Sequence, residues 1–454
     1  MDKKALMEKL AREAYEKGSF NGTWLYAENG EIVSKGALGW RDAENTVPMQ
    51  EDSIFELASV SKQFTAAAIM LLYKRGLLRF EDELSKFFQE NPYEGVTVSH
   101  LLHHTSGLPD HEDWATENLE GEKEIPKNDL CVRFLRESGL EPAFAPGEKW
   151  EYSNTAYCLL AEIVAKVSGM PFEAFMRKEI FEPCGMLSTR VCHIRVDGIP
   201  FDNFARGLVF YDGEYRIPDE LEDYREVILL DGECGVGFVY TNIFDMFRWD
   251  RALREETLFT KEDQATMFTP GRLNNGEIAT DDEGNGYGFG WFISEDPALG
   301  RILSHSGSWP GYATWCERCV DTDRMLVFLC CREPEDIRGI DGFFKGMSKI
   351  ARDKEPAPIR TIEDLAVKDP DKSKWESFCG KYEKQDEVFP IEEVYGKDGE
   401  LYAKVAYDED DVCDYRLYPI GEDTFGRKGG MVKITFGENC LVINGETTCR
   451  KLQE

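Results

Sequence analysis

Ser59 is the only serine in the chain with a lysine three residues later, Lys62. On a helix, side chains three apart share a face, so the Lys62 amine can reach the Ser59 hydroxyl. A hydroxyl is a poor nucleophile until a neighbouring base takes its proton. A lysine that loses its hydration against a buried helix is one of the few side chains that can serve as that base. The small and apolar residues from Phe64 to Leu72 offer no polar face, which predicts a helix buried on most sides with Ser59 and Lys62 in its first turn. Its free N–H groups and positive dipole end favour negative charge developing near Ser59. Two such common residues also meet by chance on many solvated helices, so the rest of a site must be found elsewhere.

Tyr152 and Asn154 stand in the loop between the Pro146-Gly147 turn and a helix that ends at Gly169. A phenol beside a lysine ammonium can have its pKa pulled down and exchange protons with a nucleophile or leaving group, and an Asn amide can hold a substrate carbonyl. The plainer alternative is a packed tyrosine and a capping asparagine. A second Tyr-x-Asn, Tyr240-Thr241-Asn242, opens the helix Phe244 to Leu253, where capping is the better explanation. His305-Ser306-Gly307 ends an alternating, strand-like run, and Gly307 lets a backbone come close to a ligand. His103 and His104 are adjacent and point about 100° apart on a helix, which favours a capping or hydrogen-bonding role over metal binding. Cys316 and Cys319 lie three apart in a β region, facing opposite sides, and read as buried thiols.

These groups need a frame. An amphipathic first helix ends near Gly18, and a hairpin at Asn29-Gly30 joins strands around residues 23–27 and 31–36. Further antiparallel strands are expected from Tyr287 to Ile293, before His305, and over Met325 to Cys330. Residues 110–145 are polar and acidic, with one amphipathic helix around Leu130 to Leu135, and predict a surface segment bordering a cleft. After Arg352 the texture changes. The expected division is a catalytic domain over residues 1–352, a linker over 353–374 and a small antiparallel β-barrel or sandwich over 375–454, in which short β segments alternate with turns.

Composition narrows the function. With 454 residues, 42% hydrophobic and 12% aromatic, the chain can build a sizeable core. A formal charge of −33 argues against nucleic acid or an anionic membrane as partner. No apolar run approaches the roughly 20 residues of a membrane span. Glu8, Lys9 and Arg12 interrupt what a secretory signal would keep apolar, and the 13 cysteines have no framework spacing, so the expectation is a cytoplasmic protein with reduced thiols.

Taken together, Ser59-Val60-Ser61-Lys62, Tyr152-Ser153-Asn154 and His305-Ser306-Gly307 resemble the three active-site elements of the serine β-lactamase and penicillin-binding protein superfamily. Tyr-x-Asn in the second place is similar to the class C branch, with its D-aminopeptidase, D-stereospecific peptidase and family VIII carboxylesterase relatives. The runs His104-Thr105-Ser106-Gly107-Leu108, Pro146-Gly147-Glu148 and Asp231 to Gly237 match as well, so the resemblance spans roughly residues 15–350. It implies an α+β fold, with an antiparallel sheet flanked by helices and a helical subdomain across the cleft. It also implies roles. Ser59 would be the acylated nucleophile, Lys62 its partner, Tyr152 the acid/base and Asn154 the group that binds the substrate amide. His305 and Gly307 would line the cleft, and the N–H groups of Ser59 and Ser308 would form the oxyanion hole. His305 replaces the lysine of the family's third motif, and a mostly neutral imidazole weakens the case for efficient penicillin turnover.

The resulting expectation is a metal- and cofactor-independent serine hydrolase cleaving a small amide or ester, peptidase- or amidase-like, with a small molecule or short peptide as partner. A homo-oligomer is compatible with it. The alternatives are a carboxylesterase with weak β-lactamase activity and a non-catalytic penicillin-recognising module.

Overall fold

In the computed structural model, which describes residues 1–119, 125–211, 213–386, 389–407 and 412–452, the chain divides into two compact units. The first takes in Met1–Glu8, Asn21–Glu333 and Ile350–Lys354, and the second Lys9–Phe20, Pro334–Lys349 and Glu355–Glu454.

The first unit is built on a seven-stranded antiparallel sheet. Its spatial order is Glu31–Leu38, Gly22–Glu28, Arg324–Cys330, Tyr312–Cys319, Gly300–Trp309, Phe292–Asp296 and Gly286–Tyr287. The Asn29-Gly30 hairpin forms as expected, with Glu28 opposite Glu31. The interior strand Arg324–Cys330 reads as a continuous apolar run because it is buried from Met325 to Cys330. Cys316 joins the main core and Cys319 packs in a separate cluster with Leu299 and Ile302, so the two thiols do face opposite sides.

The helix Lys62–Lys74 is buried from Lys62 through Leu72, which its lack of a polar face requires. Against it lies the helix Asn154–Ser168, buried from Thr155 to Ala161. Trp249, on the helix Ile243–Arg254, donates its indole N–H to Gln63 at 2.7 Å. Asn242 caps that helix, accepting from the N–H groups of Phe244 and Asp245, so the second Tyr-x-Asn is structural.

The 110–145 segment is more deeply packed than its acidic composition suggested. It forms helices His111–Asn118 and Leu130–Glu137, whose apolar faces bury Ala115, Leu130, Cys131, Phe134 and Leu135. Asp113, Glu117 and Glu137 are exposed, whereas Glu112 is partly buried near His111 and Lys62, and residues 120–124 lie outside the described ones.

In the second unit, eight strands from Gly380–Lys381 to Thr447–Arg450 pair in chain order. Tyr382 bridges Lys451, the N–H of Glu383 donates to the carbonyl of Arg450, and that of Leu452 to Lys381. The last strand is thereby bonded to the first, and the sheet closes as an up-and-down barrel around Trp375, Phe378, Phe425, Phe436 and Ile443. Ahead of it, the stretch expected as linker carries one short helix, Ile362–Leu365.

Candidate active site

Ser59 does not sit in the first turn of an α-helix. It lies in a 3₁₀ turn, Ala58–Ser61, and the α-helix begins at Lys62. In a 3₁₀ turn, residues three apart eclipse each other, which aligns the two side chains more closely than an α-turn would. The turn is entered through Ala58 at φ 48°, a left-handed conformation costly for a residue with a Cβ. Ser59 is half-buried at the surface of the site, whereas Ser61 is fully buried.

Two neighbours hold this turn. Thr314 donates its hydroxyl to the Leu57 carbonyl at 2.7 Å. Strand Gly300–Trp309 presses against the turn at Gly307, where an added Cβ would stand 2.2 Å from both the Leu57 oxygen and Thr314 Oγ1. Gly307 is therefore needed for close approach to the nucleophile turn itself. Gly307→Ala is expected to destabilise the fold by about 1–3 kcal/mol and to displace the turn. Thermal unfolding compared with acylation rate would reveal both effects, and an unchanged protein on both counts would show that the contact is slack.

The Lys62 side chain is fully buried, and its amine has three partners. Ser59 Oγ is at 3.0 Å, Asn154 Oδ1 at 2.8 Å and the Val236 carbonyl at 2.9 Å. Burial pushes the Lys62 pKa down to about 7, against the opposing pull of Glu112, Cys158, Asp110 and Glu233. The two acceptors arrive on separate elements. Asn154 opens the helix Asn154–Ser168, capped by Ser153 Oγ, which accepts from the Ala156 N–H. Val236 lies in the loop ahead of strand Val239–Thr241. That loop is drawn in at Gly235, whose φ of 94° and 2.4 Å Cβ clearance from the Tyr157 oxygen exclude any side chain.

Tyr152 is placed beside the lysine but not as its pKa partner. The Lys62 amine sits over the Tyr152 ring, 4.9 Å from its centroid, rather than at the phenol oxygen. Burial pushes the Tyr152 pKa up, partly offset by Ser59, so the lowering anticipated for a phenol near an ammonium does not occur. Its hydroxyl makes no hydrogen bond among the described residues. The ring packs on His104, 4.4 Å between centroids. His104 Nδ1 accepts from the Ser153 N–H at 3.1 Å, and its carbonyl accepts from the Glu151 N–H, so it holds the Tyr152-Ser153-Asn154 loop. A hydrogen-bonding role in the turn was anticipated for the histidine pair. That its target would be the second motif was not visible.

His305 lies against Tyr152, 6.1 Å between ring centroids, and is 2% exposed. Its Nδ1 donates to the Ser306 carbonyl at 2.6 Å, which fixes the tautomer and leaves Nε2 to accept from the Tyr287 hydroxyl at 2.9 Å. Burial, helped by Lys62, pushes its pKa down to about 3, so it is neutral. Both nitrogens are engaged, and the ring supports Tyr152 from behind rather than offering a free nitrogen to the cleft. Three residues before the nucleophile, buried Glu56 accepts from the Phe238 N–H and the Tyr240 hydroxyl, and burial pushes its pKa up to about 7.

A serine and a buried amine in contact, at the head of a buried helix between a helical layer and an antiparallel sheet, define a serine hydrolase of the penicillin-recognising type. The sequence family bears this out: residues 7–342 match the Beta-lactamase family, and the chain belongs to it. It is 37% identical over 437 residues to penicillin-binding protein 4* of Bacillus subtilis, covering 96% of this chain and 94% of that protein. Its fold is similar to that of an octameric penicillin-binding protein homologue from Pyrococcus abyssi (TM-score 0.65, 22% identity, 98% of both chains). It is also similar to that of D-amino acid amidase from Ochrobactrum anthropi SV3 (TM-score 0.63, 22% identity, 78% of this chain and 99% of that one).

Proposed function

We propose that the protein hydrolyses a small amide or short peptide through an acyl-enzyme on Ser59, with Lys62 as the base that accepts the serine proton. The observation that carries this is the inventory of the Lys62 amine. A neutral amine has two N–H bonds and one lone pair. Asn154 Oδ1 and the Val236 carbonyl can only accept, so they take the two N–H bonds, and the lone pair is left facing Ser59 Oγ at 3.0 Å. With a pKa of about 7, a large fraction of the amine is neutral at neutral pH.

Tyr152 then has the complementary task. Its raised pKa keeps the phenol protonated, so it donates: to the leaving nitrogen during acylation, recovering a proton as water attacks. Asn154 spends its oxygen on Lys62 and keeps its NH₂ for the substrate carbonyl, and the Ser59 and Ser308 N–H groups receive the oxyanion. The neutral His305 supplies no charge for a substrate carboxylate, which favours neutral amides over penicillins. The D-amino acid amidase likeness in fold is consistent with an amide substrate. The proposed catalytic unit lies within residues 1–352.

The test is mass spectrometry after reaction with a fluorophosphonate, which should place the adduct on Ser59; an adduct on Ser61 or Ser153 would overturn the assignment. Turnover of a D- and L-aminoacyl amide panel against acyl esters and a cephalosporin would then set the substrate class. Because the base is an amine, prolonged dialysis against a strong chelator is expected to leave labelling unchanged. Loss restored by zinc would mean that a metal takes part, with Glu173, His193 and Cys234, whose ligand atoms lie within 4.8 Å of one another, as the group to test first.

A further inference from the structure

Behind the Lys62 acceptors lies a buried network that the proposed chemistry does not use. His111, Thr155 and Glu233 are at most 1% exposed. His111 Nε2 is 2.7 Å from Glu233 Oε1, and the Cys158 thiol donates to Glu233 Oε2 at 3.7 Å. On the other side of the ring, Thr155 Oγ1 is 3.1 Å from His111 Nδ1, 3.0 Å from the His111 N–H and 2.9 Å from the Pro109 carbonyl.

The protons can be assigned. Thr155 has one hydrogen, and the Pro109 carbonyl can only accept it. The two lone pairs of Thr155 then take the His111 N–H and an N–H at Nδ1. The carboxylate of Glu233 takes a second N–H at Nε2. With Glu233 ionised, every group is satisfied when both ring nitrogens are protonated. Burial opposes the charge on His111, but the Glu233 carboxylate outweighs it and holds the imidazole pKa up at about 10, so the network is an imidazolium–carboxylate pair.

Its placement is specific. Thr155 follows Asn154, and Glu233 stands three residues before Val236, so the pair ties together the two segments that carry the Lys62 acceptors. The intervening loop is pinned further by Asn128, which accepts from the Cys234 N–H at 2.7 Å, and by Thr65, which donates to the Gly235 carbonyl at 2.8 Å. We infer that His111 and Glu233 are positioning residues for Ser59 acylation, holding both lysine acceptors in place and, as a charge-balanced pair, leaving the Lys62 amine free to be neutral. This rests on the reading of Lys62 as the base.

The charges around Lys62 are Glu112, Asp110 and Glu233 with the Cys158 thiol, and the neutral rings of His104 and His305. Around His111 they are Glu233, Glu112 and the Cys131 thiol. Within this set, breaking the pair exposes one charge to Lys62. His111→Gln leaves the Glu233 carboxylate unbalanced, which stabilises the Lys62 ammonium. Glu233→Gln leaves the imidazolium, which opposes it.

The test is the rate of fluorophosphonate labelling of Ser59 against pH, in the full chain and its variants, alongside thermal unfolding. The acid limb of His111→Gln is expected to move up by roughly one pH unit and that of Glu233→Gln to move down. In the double variant the limb should return close to that of the parent. Loss of packing alone would lower the melting temperature without moving the limbs in opposite directions. An unmoved limb in His111→Gln, or a double variant that stays displaced, overturns the inference. If His111→Gln does not fold, Glu233→Gln alone decides: a lowered limb supports the pair and an unmoved or raised one overturns it. A parent lacking an acid limb, or a Ser59→Ala variant that still labels, would instead remove the underlying reading of the site.

Discussion

Ser59→Ala is expected to give a folded protein that a fluorophosphonate no longer labels, with hydrolysis reduced on the order of 10⁴- to 10⁶-fold. The substitution removes one oxygen from a half-buried position, and the turn that presents it is held by backbone and by Thr314 rather than by the hydroxyl. Lys62 keeps its Asn154 and Val236 partners, so the loss should appear in turnover and not in the unfolding midpoint. Persistence of turnover above about 1% would place the nucleophile elsewhere.

The second large effect is expected from Lys62→Arg. An arginine stays protonated at any working pH and has no lone pair to receive the serine proton, so the charge is conserved while the base is lost. The fall should be about 10²- to 10⁴-fold, the usual worth of a positioned base. In the parent, the base is active when neutral. With a folded pKa of about 7, activity should rise as pH increases through that value and level off above it. Glu56 and Glu112, both pushed up to about 7 by burial, ionise over the same range. The limb belongs to Lys62 only if it survives Glu56→Gln and Glu112→Gln. A Lys62→Arg enzyme with near-parent turnover would assign the base role to Tyr152.

The parts of this site legible in the sequence were those set by local spacing. The three-residue interval from Ser59 to Lys62, the Asn29-Gly30 hairpin and the Asn242 cap depend on neighbours in the chain, and they formed. The 3₁₀ geometry of the nucleophile turn and the positive φ of Ala58 were not legible, because alanine carries no signal for a conformation imposed by Thr314 and Gly307 from two distant strands. The Val236 carbonyl could not have been found either, since every residue offers one. The partners His111 and Glu233 lie 122 residues apart, with no pattern that links them. For His305 the sequence indicated a neutral ring in the right place, but not that Tyr287 would occupy the nitrogen facing the site. The phenol of Tyr152 went the other way from expectation because burial outweighed the opposing influence of Ser59, and the Lys62 amine approaches the ring face instead of the oxygen.

The closing seam of the C-terminal barrel has a consequence for handling the protein. With Tyr382 bridged to Lys451, neither the first strand nor the last presents an open ladder along that seam. Removing the final strand, Thr447–Arg450, would uncover two edges at once, the flank of Cys440–Ile443 and that of Gly380–Lys381. Each is a template for pairing with a strand from another molecule. A trim past Ile443 should therefore make the chain self-associate more with concentration than the parent does, a change that sedimentation velocity would show.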